Sequence, residues 1–92
     1  MLTTQVPKTI YTEQHQRLVG ILRAMRAKAG LTQIELAEQL ERPQSFVSKY
    51  ESGQRRLDMV ELTEICGALG VKLVTLARRF EDGQKPAKRR SR

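Results

Sequence analysis

Residues 31–53, LTQIELAEQLERPQSFVSKYESG, decide the architecture, because two short amphipathic segments meet there around a proline. Thr32 can accept the free N–H groups at the start of a helix, and Glu35, three positions on, can reach back: the capping-box spacing. Leu36, Ala37 and Leu40 form one apolar face. Pro43 cannot continue that helix but suits the first turn of another, which Gly53 stops. Only Glu41 and Arg42 remain between them, so the pair reads as two short helices joined by a tight turn. Ala37 is small enough for a close crossing, Leu40 closes the bottom of the pair, and Val47 and Tyr50 turn back into a core. Gln44, Ser45, Ser48 and Lys49 share the opposite face. That face is either an ordinary surface for water or one shaped to touch something.

The flanks supply the rest of a bundle. From about Thr12 to Ala29, the apolar Leu18, Leu22, Met25 and Ala29 recur at helical steps, and Gly30 ends the run as a left-handed cap. Leu57, Leu62, Ile65 and Leu69 mark another helix, with Asp58 near its start and Gly70 at its end. A last short one, Leu73 to Phe80, offers Leu73, Leu76, Ala77 and Phe80. No segment alternates with period two long enough to be a strand. The chain therefore reads as all-α, a compact five-helix bundle. Residues 1–11 form an arm, 12–81 the domain and 82–92 a basic tail.

Composition narrows the function. Ninety-two residues make one small domain, and with only 4% aromatics its core must come from Leu, Ile, Val, Ala and Met. One Cys and one His leave no conventional metal site and no disulfide, and no cofactor is expected. There is no glycine-rich phosphate loop and no paired carboxylate, so catalysis is not expected. No long apolar run or signal peptide is visible, so a cytoplasmic protein without a membrane partner is expected. The net charge of +7 suggests a polyanionic partner, but residues 83–92 hold five basic residues and no acidic one. The remainder carries 12 Lys and Arg against 10 Asp and Glu. The tail is either solubilising or phosphate-contacting. Within residues 42–56, Arg42, Lys49, Arg55 and Arg56 outnumber Glu51, a local excess of three positive charges.

The order "LTQ-x-x-LA", "PQSFVSK", "E-S-G-x-R" and "L-x-x-I-x-x-ALG" resembles the Cro/C1-type (XRE) helix-turn-helix family of phage repressors and bacterial regulators, over roughly residues 16–77. The resemblance implies a lambda repressor-like DNA-binding domain, in a prokaryote or phage, with residues 43–52 as a recognition helix in the major groove. It makes Gln44 the first base reader, an amide suited to adenine, with Ser45, Ser48 and Lys49 beside it; Lys49 could reach a guanine or a phosphate. Gln33 would bind a phosphate and brace the recognition helix. Arg42, Ser52, Gln54, Arg55 and Arg56 would flank it on the DNA backbone, and Arg26 would pair with Glu51. It also implies a transcriptional regulator, most simply a repressor, binding a palindromic operator as a homodimer. Val71, Leu73, Val74, Leu76 and Phe80 are the candidate dimer surface, though Leu73 and Leu76 serve equally well as the closing wall of the monomer core. Two positions depart from the family. Glu41 stands where a glycine is usual, at a cost of about 1 kcal/mol if the turn stays left-handed. Ile34 replaces a polar residue and is expected to be a packing residue rather than an exposed contact.

The other singular residues carry less. His15 is expected on the surface, and Cys66 as a small packing residue. Ile10 and Tyr11 would staple the first helix or meet a partner subunit. Two other functions are compatible with the fold: an antitoxin whose arm or tail binds a toxin or other regulatory protein, and an interaction module that does not read DNA. The second would call for large apolar residues where Gln44, Ser45, Ser48 and Lys49 stand.

Overall fold

The computed structural model describes residues 12–83, and the arm and most of the tail lie outside them. The described residues form five helices and no strand: α1 (Glu13–Lys28), α2 (Gln33–Leu40), α3 (Gln44–Glu51), α4 (Met59–Leu69) and α5 (Leu73–Asp82). The last runs one residue past the expected end of the domain. Pro43 and Ser52 are the caps of α3 rather than its ends.

Caps set these lengths. Thr32 and Glu35 close a complete capping box on α2, with bonds of 3.0 and 2.9 Å. A second box opens α4, where Asp58 accepts from the Glu61 N–H at 2.8 Å and Glu61 accepts from the Asp58 N–H at 3.0 Å. Thr12 caps α1 through the His15 N–H. At the C-terminal ends of the first four helices one motif repeats: a left-handed residue, with the next N–H bonded to a carbonyl five residues back. Three of those left-handed residues are glycines, and the fourth is Glu41, at φ 58°. The turn between α2 and α3 therefore keeps the glycine geometry and bears the side-chain strain. Glu41→Gly relieves about 1–2 kcal/mol of that strain but frees the unfolded chain by about 0.5–1 kcal/mol. A net stabilisation of about 0.5–1 kcal/mol in urea melts is expected, and a destabilised variant would show that the Glu41 side chain holds the turn.

The core gathers Val19, Leu22 and Met25 from α1, Leu36 and Ala37 from α2, Phe46, Val47 and Tyr50 from α3, Ile65, Cys66 and Leu69 from α4, and Leu76 from α5. Burying such side chains contributes about 1.5–3 kcal/mol for each large one. Phe46 and Tyr50 meet edge to face at 5.5 Å. The Tyr50 hydroxyl is buried without a partner, and its pKa is raised, chiefly by burial.

Three expectations change. On α1 the buried stripe is His15, Val19, Leu22 and Met25, while Leu18 is half-buried and Ala29 is exposed. His15 is thus not a surface histidine: helix α1 turns it inward, where it is only 5% exposed. Ile34 is 56% exposed, because it lies roughly 200° round the helix from the inward Leu36.

Candidate nucleic-acid interface

Helix α3 divides cleanly. Phe46, Val47, Tyr50 and Glu51 are buried, while Gln44, Ser45 and Lys49 are exposed and Ser48 is half-buried. The outward face carries an amide, two hydroxyls and an ammonium, with no large apolar group. This is the arrangement that separates a polar reading edge from a packing edge on one short helix.

Gln44 is held from beneath. Glu51, with its side chain 1% exposed, accepts from Arg26 Nε at 2.7 Å and Arg26 Nη2 at 2.9 Å. Arg26 also donates to the Leu31 carbonyl at 2.8 Å, and Arg23 donates to the Glu51 carbonyl at 3.2 Å. Gln33 Nε2 donates to the same carboxylate at 2.9 Å. A carboxylate only accepts, so the Gln33 amide nitrogen must face inward and its oxygen outward. That oxygen accepts from Gln44 Nε2 at 3.2 Å. Gln44 thereby keeps one N–H and its whole carbonyl for the outside, the set that matches adenine N7 and N6. Burial would raise the Glu51 pKa, but the bonds from Arg26 and Gln33 and the charges of Arg26 and Arg23 outweigh it, so the carboxyl stays ionised. The Arg26 pKa is raised, first by its hydrogen bond to Glu51.

The flanking cations are less uniform than their sequence suggests. Ser52, Gln54 and Arg56 are exposed beside α3; the Ser52 hydroxyl donates to the Lys49 carbonyl at 3.1 Å, and Ser48 to Ser45 at 3.3 Å. Arg42 and Arg55 are instead engaged within the fold. Arg55 forms a bidentate pair with Glu61 at 2.8 and 3.0 Å. Arg42 lies 3.5 Å from Glu61 and 3.1 Å from Glu64. Both guanidinium groups stack on the Phe46 ring, 4.4 and 4.8 Å from its centre. Their acidic partners lie on α4, outside the window in which the local positive excess was counted.

His15 lies under this loop. Its pKa is lowered, first by burial and then by the Arg56 charge, while a hydrogen bond from the ring to the Arg55 backbone carbonyl acts the other way. Its Nε2 has no partner.

A separate face holds the candidate dimer residues. Leu18 of α1, Met59 and Leu62 of α4, and Leu73, Val74, Ala77 and Phe80 of α5 line a groove of about 400 Å³ whose walls are wholly apolar. Leu76 is its buried floor, 2% exposed, and so belongs to the monomer core. Val71 lies on another side, beside Met25, Lys28 and Leu69. Met59 and Val74 are 64% and 54% exposed. Met59, the first residue of α4, stands three residues before Leu62, at a helical step that brings both to one side.

A capped α2, a left-handed turn and an α3 with a polar outward face define a helix-turn-helix protein. A family model described as helix-turn-helix matches residues 22–76, and the chain belongs to this XRE-type helix-turn-helix family. Among solved structures, an XRE-family like protein from Pseudomonas syringae pv. tomato str. DC3000 is 42% identical, with 85% of this chain and 95% of that one covered and a TM-score of 0.76. The clp gene regulator ClgR from Corynebacterium glutamicum is 28% identical over 75% of this chain and 73% of that one, at a TM-score of 0.69. A point mutant of the restriction-modification controller protein C.Esp1396I, 22% identical, shares the fold alone, with a TM-score of 0.73 over 86% of this chain and 98% of that one. No curated protein matches at comparable significance. Family and site together make this a DNA-binding transcriptional regulator. Among the described residues, no helix is long and apolar enough to cross a membrane, and no group of three or more His, Cys, Asp or Glu could hold a metal ion.

Proposed function

We propose that the protein is a sequence-specific repressor that binds double-stranded DNA as a homodimer, with α3 in the major groove. The observation that supports this best is the hydrogen-bonded chain from the buried Arg26–Glu51 pair through Gln33 to Gln44. A side chain fixed from beneath and free outward is pre-organised to read a base edge. Ser45, Ser48 and Lys49 complete the reading face. Ser52, Gln54 and Arg56 contact phosphates and set the register, while Gln33, its amide nitrogen turned inward, braces Gln44 instead. One α3 reads only a few base pairs, so two copies take half-sites about one helical turn apart. The second copy covers the apolar groove around Val74 and Phe80, since an exposed apolar patch of this kind marks a contact surface. Repression follows from occupancy, because a bound dimer covers its operator. An interaction module would want large apolar groups on the outward face of α3, and it has none.

Selection of bound sites from random duplex DNA should return a palindrome. Gln44→Ala should then lose about 1–3 kcal/mol of discrimination at one base pair of each half-site. Arg56→Ala should weaken all sequences alike and reduce the salt slope by about 1. If selection returns no common sequence, sequence-specific reading is wrong.

A further inference from the structure

Arg42 stands just before α3 and Arg55 just after it, the two places where cations would most readily meet the DNA backbone. Phe46, between them in sequence, is buried in α3 and carries both guanidinium groups on its ring. One acidic side chain joins them: Glu61, in the first turn of α4, takes Arg55 in a bidentate pair and has Arg42 at 3.5 Å. Its side chain is 12% exposed, so the pair is partly shielded from screening by water. The carboxyl is held down to about 2, first by Arg55 and then by the Asp58 N–H, so it is charged at any ordinary pH.

We propose that Glu61 limits sequence-independent DNA binding by holding Arg55, and with Glu64 also Arg42, on Phe46 and off the phosphate backbone. This rests on the reading of the protein as a DNA-binding dimer. Phosphate contacts supply affinity for every sequence alike, whereas the Gln44 face supplies preference. Withdrawing arginines from the phosphates lowers this common term on every duplex and leaves the choice among sequences to the Gln44 face. That matters to a protein that must find its site among about 10⁶–10⁹ competing ones. The stacked guanidinium groups also tie the turn before α3 to the loop after it, which fixes the angle of the reading face. The Glu61 carboxylate thus occupies the place a phosphate would otherwise take on Arg55, and it shares Arg42 with Glu64, which lies closer at 3.1 Å.

Glu61→Gln tests this, because glutamine keeps the capping-box bond to the Asp58 N–H and removes only the charge. Binding to a selected operator and to random duplex is measured from 50 to 200 mM salt. The expected result is a salt slope steeper by about 0.9 for the release of Arg55, on operator and random duplex alike, with tighter binding to both. Adding Arg55→Gln to that variant should recover about 0.9 of the slope. Should Glu61→Gln fold poorly, Arg55→Gln alone separates the two assignments. A slope shallower by about 0.9 means that Arg55 already grips a phosphate and overturns the proposal; an unaltered slope supports it. An unchanged slope in folded Glu61→Gln also overturns it. If the parent protein binds neither DNA, the DNA-binding reading fails first, and this inference with it.

Discussion

Glu51→Ala is expected to cost the fold about 3–5 kcal/mol, the usual penalty for removing one member of a buried ion pair. The reason lies in what is left behind rather than in what is lost. Arg26, its side chain only 15% exposed, would keep its charge with two of its three bonds gone, and the inward N–H of Gln33 would face nothing. A domain of this size has roughly 4–11 kcal/mol to lose, at 0.05–0.15 kcal/mol per residue. The variant should therefore show a much lower urea midpoint and a sizeable unfolded fraction. Its folded fraction should also discriminate bases less well, since Gln33 no longer holds Gln44. The acid limb of the parent protein carries the same signature. The Glu51 pKa is lower folded than unfolded, so its contribution is complete above its ordinary value of 4.5 and fades as pH falls through the depressed one. A loss under about 1 kcal/mol on Glu51→Ala would mean that water takes over the role of the carboxylate, as it does for surface pairs.

Local rules made the frame of this fold readable. Thr32 with Glu35, Pro43, Gly53 and Gly70 act within a few residues of themselves, and the structure places each where its chemistry predicts. Asp58 and Glu61 show the same box spacing as Thr32 and Glu35, so the cap on α4 was visible in principle. What local rules could not show is competition between distant partners. Arg42 and Arg55 look like phosphate binders when residues 42–56 are counted alone, and Glu61 and Glu64 reverse that from another helix. His15 sits one turn from the start of a helix, where a histidine is normally wet; only the loop carrying Arg55 and Arg56 encloses it. Leu76 and Val74 are two residues apart on an apolar helix, and tertiary packing alone decides that one is core and the other surface.

Val74→Glu should leave the monomer intact and abolish the proposed homodimer. Val74 is 54% exposed, so the substitution creates no cavity and buries no charge in the isolated chain, where its effect should stay within about 0.5 kcal/mol. Pressed against a second copy, the same carboxylate would enter a groove whose walls offer it no hydrogen bond, and a symmetric interface would contain it twice. Neighbouring cations do not rescue it. Arg17 is engaged with the Gly83 carbonyl at 2.7 Å and lies over the Phe80 ring. Operator binding should then lose the advantage of linked half-sites, about 10²–10⁴-fold, while affinity for an isolated half-site stays the same. Sedimentation equilibrium and titration of full and half operators read the two effects separately. A variant that remains dimeric and binds the full operator like the parent would move the dimer surface elsewhere, with the face beside Val71 and Leu69 the next place to look. A variant that is monomeric yet binds the full operator unchanged would show that each copy reads its half-site alone. The proposed reading of a base by Gln44 would stand in either case, because the hydrogen bonds that hold this side chain lie within one chain.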